Sequence, residues 1–401
     1  MDDPLKPERP TLHLHASSRP APRRAPRAAS KRSDLKPFKW LLAVSVLLAL
    51  AWFGRLLLDE SRTSELQASE LSRYAARLTY QMAPGASDSI HYPVEGPFDV
   101  RLGYVGLPNF ITRLDERNWS VSAQARFSPA LLDYAANGLF PPYIEKRQAG
   151  LDLADCRNQP LYKFRYPVRS YGSFEAIPRK VMQSLLYIEN RDLLEETYPL
   201  VNPAVDWGRF AKAAVLQVAK MAGISVPAMG GSTLATQIEK YRHSPDGVTG
   251  SALDKLKQMA SASVRAYRHG PQTLAARQRL VLEYLDTVPL SAAPGYGEVN
   301  GLGDGLWVWF GSDFATINEL LTLADGEGEL LDAQGLAMRQ IIGLMIAHRR
   351  PTWYLNNGRA DLAELTDSYL RIMANTGEIS PALRDAALRQ QLHFRDFRQN
   401  P

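Results

Sequence analysis

Two stretches of the chain carry residues whose types and spacing could do chemistry. The first is PRKVMQSLLYIEN (178–190), which predicts a helix with Val181, Leu185 and Ile188 on one buried face. Glu189 follows Leu185 by four residues and Met182 by seven, so it projects from the edge of that face. A carboxylate there is half desolvated, which raises its affinity for a proton and suits it to general-base work near neutral pH. The second stretch, GGSTLATQIEKY (230–241), reads as a Gly-Gly turn running into a helix. Free N–H groups at that helix start, with the Ser232 and Thr233 hydroxyls, are what an anionic phosphate seeks. Each stretch also has a plain reading: a solvated or ion-paired Glu on an amphipathic helix, and a turn with a Ser or Thr N-cap. Their order within one domain points instead to chemistry on a phosphate-activated substrate.

The elements that must position them can be read along the chain. At 401 residues there is ample length for one large domain or two moderate ones. The net charge of +5 misleads, because residues 1–39 alone carry ten Lys or Arg against four Asp or Glu. The remainder is close to neutral, so the body has no nucleic-acid-binding character. Cys156 is the single cysteine, which excludes an internal disulfide and a Cys-based zinc site, and the seven histidines show no HExxH spacing.

Residues 1–37, rich in Pro, Ala, Ser and Arg, read as a disordered basic tail. The apolar run from Trp40 to Gly54, extended past Arg55 by Leu56, Leu57 and Leu58, is just long enough to cross a bilayer, and residues 38–58 are taken as the anchor. Ala49-Leu50-Ala51 resembles a signal-peptide cleavage site, but the long preceding segment and the continued leucines favour an uncleaved anchor. Basic residues before it and Asp59-Glu60 after it put the N-terminus in the cytoplasm. A stalk helix over 59–83 and a small mixed or β-rich module over 84–175 follow. From 176 to 375 helical periodicity dominates, with stripes at Leu253, Leu256, Ala260, Val264, Tyr267 and at Leu274, Val281, Leu285, Val288. The Met-rich 221–229 stretch reads equally as a loop over the core or a flap dipping into lipid. The glycine-rich 294–311 ends in aromatics that look exposed, and residues 376–401 form a last helix and tail.

The ordered motifs of residues 176–375 resemble the peptidoglycan glycosyltransferase domain of class A penicillin-binding proteins. YIENRDLL matches that family's signature around its catalytic glutamate, with Glu189 in the glutamate's place and Asn190 where the family has Asp. Asn202-Pro203-Ala204-Val205-Asp206-Trp207 is similar to its His-Pro-Gly-Val-Asp-Trp segment. Gly230, Gly231, Ser232, Thr233, Gln237 and Lys240 fall on its pyrophosphate-handling GGST…Q…K pattern, the strongest match. In DKLKQMA (254–260) Lys255 is kept, while Gln258 stands for a glutamate; YLDTV (284–288) resembles Tyr-Leu-Asn-Thr-Val, and Trp309-Phe310-Gly311 resembles Tyr-Phe-Gly.

The resemblance implies a mainly α, lysozyme-like glycosyltransferase domain behind one transmembrane helix and a small β-containing module. Such a protein sits in the bacterial inner membrane with its main domain outside. It polymerises lipid II with inversion at C1, and its partners are lipid II, glycan strands, membrane lipid and other wall-synthesis proteins. Glu189 would be the catalytic base, and Gly230, Gly231, Ser232, Thr233, Gln237, Lys240, Lys255 and Gln258 would bind the substrate's pyrophosphate. No residue is assigned to a metal, although the family's reaction admits a divalent cation such as Mg2+. Asn190 and Gln258 each remove a charge from the family pattern, so the alternative is an impaired domain that binds lipid II or scaffolds other enzymes. A lytic hydrolase is the third reading and would leave the GGST pattern without a purpose. A transpeptidase SxxK, SxN and KTG set is not found, so the chain as given is not expected to bind penicillin.

Overall fold

The computed structural model describes residues 36–90, 102–208, 212, 216 and 232–397. The basic tail to residue 35, the 221–229 stretch, Gly230 and Gly231 lie outside these residues. The protein is mainly helical with three two-stranded antiparallel sheets among the described residues.

Helix α1 (Lys36–Thr63) contains an unburied apolar stretch, Trp40–Thr63, whose mean hydropathy of 2.2 fits a candidate membrane span. It runs five residues beyond the predicted anchor. The chain divides after Arg55, and the unit that begins at Leu56 is described from here on.

The chain turns at Ser64, which takes a left-handed conformation (φ 55°), and re-enters a helix as α2 (Glu65–Ala75). The expected stalk is not free-standing: Ala68 and Ala75 are buried, and Gln67 accepts a hydrogen bond from Asn202 at 2.9 Å. The module after it holds β1 (Tyr80–Pro84) paired with β2 (Ala123–Phe127), the helices α3 (Leu107–Asp115) and α4 (Pro129–Ala136), and the hairpin β3 (Ala149–Ala154) with β4 (Pro160–Tyr166).

The helical body is built from α5 (Arg179–Glu189), α6 (Leu234–His243), α7 (Ala252–Ala266) and α8 (Leu274–Thr287). The hairpin β5 (Pro289–Ala293) with β6 (Gly297–Asn300) leads to the short α9 (Leu302–Gly305). Then come α10 (Phe314–Thr322), α11 (Gly328–Ala347), α12 (Arg359–Asn375) and α13 (Pro381–Arg389). Helix α11 is long and apolar enough to span a membrane, but it is the core: Met338, Ile341, Ile342 and Ile346 are fully enclosed. Gly335 lets α13 approach, since a Cβ there would stand 2.6 Å from the Ala386 carbonyl carbon.

Two sequence expectations are corrected. Leu253, Leu256 and Ala260 are exposed while Val264 and Tyr267 of the same stripe are buried, and α7 also buries Gln258, Ser261 and Ser263. Its inward polar groups bond to backbone and side chains that lack helical partners: Ser261 Oγ accepts the Phe140 N–H, and Ser263 Oγ accepts from Asn202 Nδ2, both at 2.9 Å. Hydrophobic spacing cannot register a helix turned by such demands. Trp309, which looked exposed, is fully buried with its indole N–H on the Leu290 carbonyl at 3.0 Å.

A buried ionic layer joins α6, α7 and α8 to residues 141–145. Arg265 Nε lies 2.6 Å from Glu239, and Arg242 lies 2.7 Å from Glu283. Glu145 is buried beside them, and burial raises its proton affinity against the pull of Arg242 and Arg265.

At the end of α8, Asp286 accepts the Tyr171 N–H at 2.8 Å and pairs with Arg147. Burial pushes its carboxyl up to about 6, against the lowering effect of both partners. Because the folded state then holds this proton more tightly than the unfolded chain (ordinary value about 3.9), stability is greatest below pH 4 for this group and falls as pH rises to 6. Asp286→Asn is expected to abolish that slope and to gain on the order of 1–3 kcal/mol at pH 7 relative to pH 4. Melting temperatures across pH 4–8 check this, and an unchanged slope would refute it.

Candidate active site

The base candidate sits on the last turn of α5. That helix forms because Val181 and Leu185 recur at its buried face, with Ser184 folded back onto the Lys180 carbonyl at 2.7 Å. Tyr187 is buried too, and Ile188 is half-buried. Helix α5 stops at Asn190, whose backbone is extended (φ −161°), and this leaves Glu189 at the mouth of the body with a side chain only 10% exposed.

Three groups from two other elements converge on its carboxylate. Gln237 of α6 donates Nε2–H to Oε2 at 3.1 Å. His348, directly after α11, brings Nε2 to 3.4 Å from Oε1, and the Arg349 guanidinium lies 3.8 Å from the same oxygen. Gln237 is oriented in turn by the hydroxyls of Tyr241 and Tyr284, at 3.4 and 3.3 Å from its Oε1. Burial raises both phenols above their ordinary range, so they remain donors.

Helix α6 begins with a capping box: Thr233 Oγ1 accepts the Thr236 N–H at 3.3 Å, and Thr236 Oγ1 accepts the Thr233 N–H at 2.9 Å. Thr233 is therefore occupied in holding the helix start. Ser232 Oγ instead accepts from Lys255 Nζ at 2.8 Å, which ties α7 to the residue before the α6 cap. Lys255 also reaches Thr236 Oγ1 at 3.3 Å.

Lys240 and Lys255 are both half-buried. Burial first and the neighbouring Lys240 second pull Lys255 down to about 8, and burial lowers Lys240 as well. Among the described residues neither ammonium has a carboxylate partner; Lys240 lies instead over the Tyr241 ring at 4.6 Å. Two partly desolvated cations that repel one another would both be relieved by a nearby anion. Beside it opens a cleft of about 370 Å3, lined by Asn190, Asn202, Asp206, Trp207, Thr233 and Arg277 among others.

Of the sequence-derived residues, Glu189 and Gln237 are in contact, and Ser232, Thr233 and Lys255 cluster around the α6 start, with Lys240 on the same helix. Gln258 stands apart. It is fully buried, with Nε2 on Ser244 at 2.9 Å and Thr249 at 3.1 Å, where it braces the turn after α6. Gly230 and Gly231 lie outside the described residues. Sequence reasoning missed His348 and Arg349. The available signal was a His-Arg-Arg run closing a long apolar helix, where basic residues meet the carbonyl end.

The helical body thus holds an enclosed carboxylate, bonded through Gln237 to the helix that also carries Lys240. The transglycosylase family model, that of the peptidoglycan glycosyltransferase domain, matches residues 157–386, more than half of the chain. The chain belongs to that family. No curated protein matches it.

Proposed function

We propose that this protein polymerises lipid II, joining the acceptor's sugar 4-hydroxyl to C1 of a polyprenyl-pyrophosphate sugar with inversion. The observation that supports it best is the Gln237–Glu189 hydrogen bond, which joins the base motif to the phosphate-handling motif in one site. Glu189 removes the hydroxyl proton as that oxygen attacks C1. The bond from C1 to the pyrophosphate oxygen breaks, and its electron pair leaves with the pyrophosphate. That leaving group needs no proton, because Lys240 and Lys255 offset its developing charge. One essential carboxylate therefore suffices where a glycosidase uses two. The basic residues preceding α1 and Asp59-Glu60 near its end support an N-terminus in the cytoplasm and a body outside the inner membrane.

The family's divalent cation does not fit the residues at its positions. Asn190 and Gln258 offer only amide oxygens where a hard cation seeks carboxylates, and Gln258 Oε1 already accepts from Thr249 at 3.3 Å. No step is routed through it. Incubating the solubilised chain with labelled lipid II, with and without Mg2+, tests the reading. Glycan product supports it. Retained lipid II binding without product would replace it with the binding or scaffolding role that the neutral Asn190 and Gln258 favour.

The lysines set a second expectation. With Lys255 at about 8, its charge is lost as pH rises through that value, so substrate binding weakens on the alkaline side. The KM for lipid II should rise several-fold between pH 7 and 9. Lys255→Arg, charged throughout, should flatten that rise. A KM insensitive to pH in both proteins would remove Lys255 from pyrophosphate binding.

A further inference from the structure

His348 is absent from the motifs that carry the family resemblance, yet its ring meets the candidate base directly. Its Nδ1 contacts the Met345 carbonyl oxygen one turn back in α11. A carbonyl oxygen only accepts, so Nδ1 carries a hydrogen in every protonation state, and Nε2 alone is left to exchange a proton. That nitrogen faces Glu189 Oε1 at 3.4 Å, and the two side chains are 6% and 10% exposed. Without a proton between them, two lone pairs confront each other in a site largely removed from water. With one proton, the same geometry becomes a hydrogen bond.

We propose that His348 is a positioning residue for the reaction, its Nε2 accepting the hydrogen bond of the carboxylic acid that Glu189 becomes on taking the acceptor's proton. The inference rests on the glycosyl-transfer reading. The proton moves from the sugar hydroxyl to the Glu189 carboxylate and settles between Oε1 and Nε2. The new O–C1 bond and the departing pyrophosphate account for the electron pairs. Gln237 holds the other carboxylate oxygen, so Oε1 is the one turned to the ring.

The surroundings keep the ring a good acceptor. Burial lowers its proton affinity, as do Arg349 and Lys240, while the Glu189 charge raises it. The carbonyl end of α11 also favours a cation there. Tyr284 meets the ring edge-on at 5.8 Å, and Tyr241 stands behind Gln237; burial keeps both hydroxyls protonated.

Loss of the acceptor should weaken the base. In His348→Phe the acid limb of the kcat–pH profile is expected to move down by about one pH unit, with kcat falling roughly tenfold and KM for lipid II unchanged. An unmoved limb, or a loss confined to KM, overturns the proposal. A second measurement leaves His348 in place. In full-length chain labelled with 15N-histidine, Nδ1 should stay protonated throughout, and the Nε2 titration midpoint should move to lower pH in Glu189→Gln. A bare Nδ1, or a midpoint unaffected by that substitution, overturns the pairing. The spectra do not depend on turnover: the expected spectra with no glycan product would sink the reaction and His348's role in it, while the Glu189–His348 pairing itself would stand.

Discussion

Glu189→Gln is expected to reduce lipid II polymerisation by about 10^2- to 10^4-fold, the usual worth of a positioned general base. The substitution removes the proton acceptor and the charge that faces Arg349. Glutamine has the same length, its amide oxygen can still accept from Gln237, and its NH2 can donate to His348 Nε2. The anion site is untouched, because Ser232, Lys240 and Lys255 are held by α6 and α7 rather than by α5. The loss should therefore fall in kcat, with lipid II binding preserved within a few-fold. Single-turnover polymerisation alongside equilibrium binding separates the two. Full activity in the variant would dismiss Glu189 as the base, whatever its position.

Arg265→Ala is expected to cost about 3–5 kcal/mol of folding stability, the penalty for removing one partner of a buried pair. Arg265 does more than neutralise Glu239. Its Nη2 donates to the Pro141 carbonyl at 3.1 Å and its Nη1 to the Tyr143 carbonyl, so it fastens the module's last segment to the helical body. Truncation leaves Glu239 and Glu145, 1% and 4% exposed, without their shared cation. Melting should drop by roughly 5–10 °C. The double variant Arg265→Met/Glu239→Gln, which removes both charges, should lose less than the two single changes added together. Strict additivity would mean that the two side chains are not coupled. Polymerisation by surviving folded protein should be near normal, because Arg265 bonds Glu239 and the Pro141 and Tyr143 carbonyls rather than Gln237, His348 or Arg349.

Much of the architecture was legible because it follows from local patterns. Val181 and Leu185 recur at helical spacing, and both are fully enclosed. Val281 and Leu285 of α8, and Val288 directly after it, are buried as well. The apolar run from Trp40 reads as a candidate membrane span by its length and composition. Where polar contacts across the fold decide orientation, pattern failed. Helix α7 faces inward with Gln258, Ser261 and Ser263 because the turn after α6, Phe140 and Asn202 need partners, and its leucines were left outside.

The candidate site divides along the same line. Sequence alone determined that a carboxylate would stand at the rim of an apolar helix, since residue type and helical spacing dictate it, and it led to the expectation that Ser232, Thr233 and the lysines downstream take a phosphate. Only the tertiary structure decided that Gln237 would bond that carboxylate and that His348 and Arg349, more than 150 residues away in the chain, would meet it. It also decided that Gln258 would be consumed as a brace. Hydrogen bonds and ion pairs between distant segments depend on how helices are set against one another, and that is fixed by packing the whole core at once.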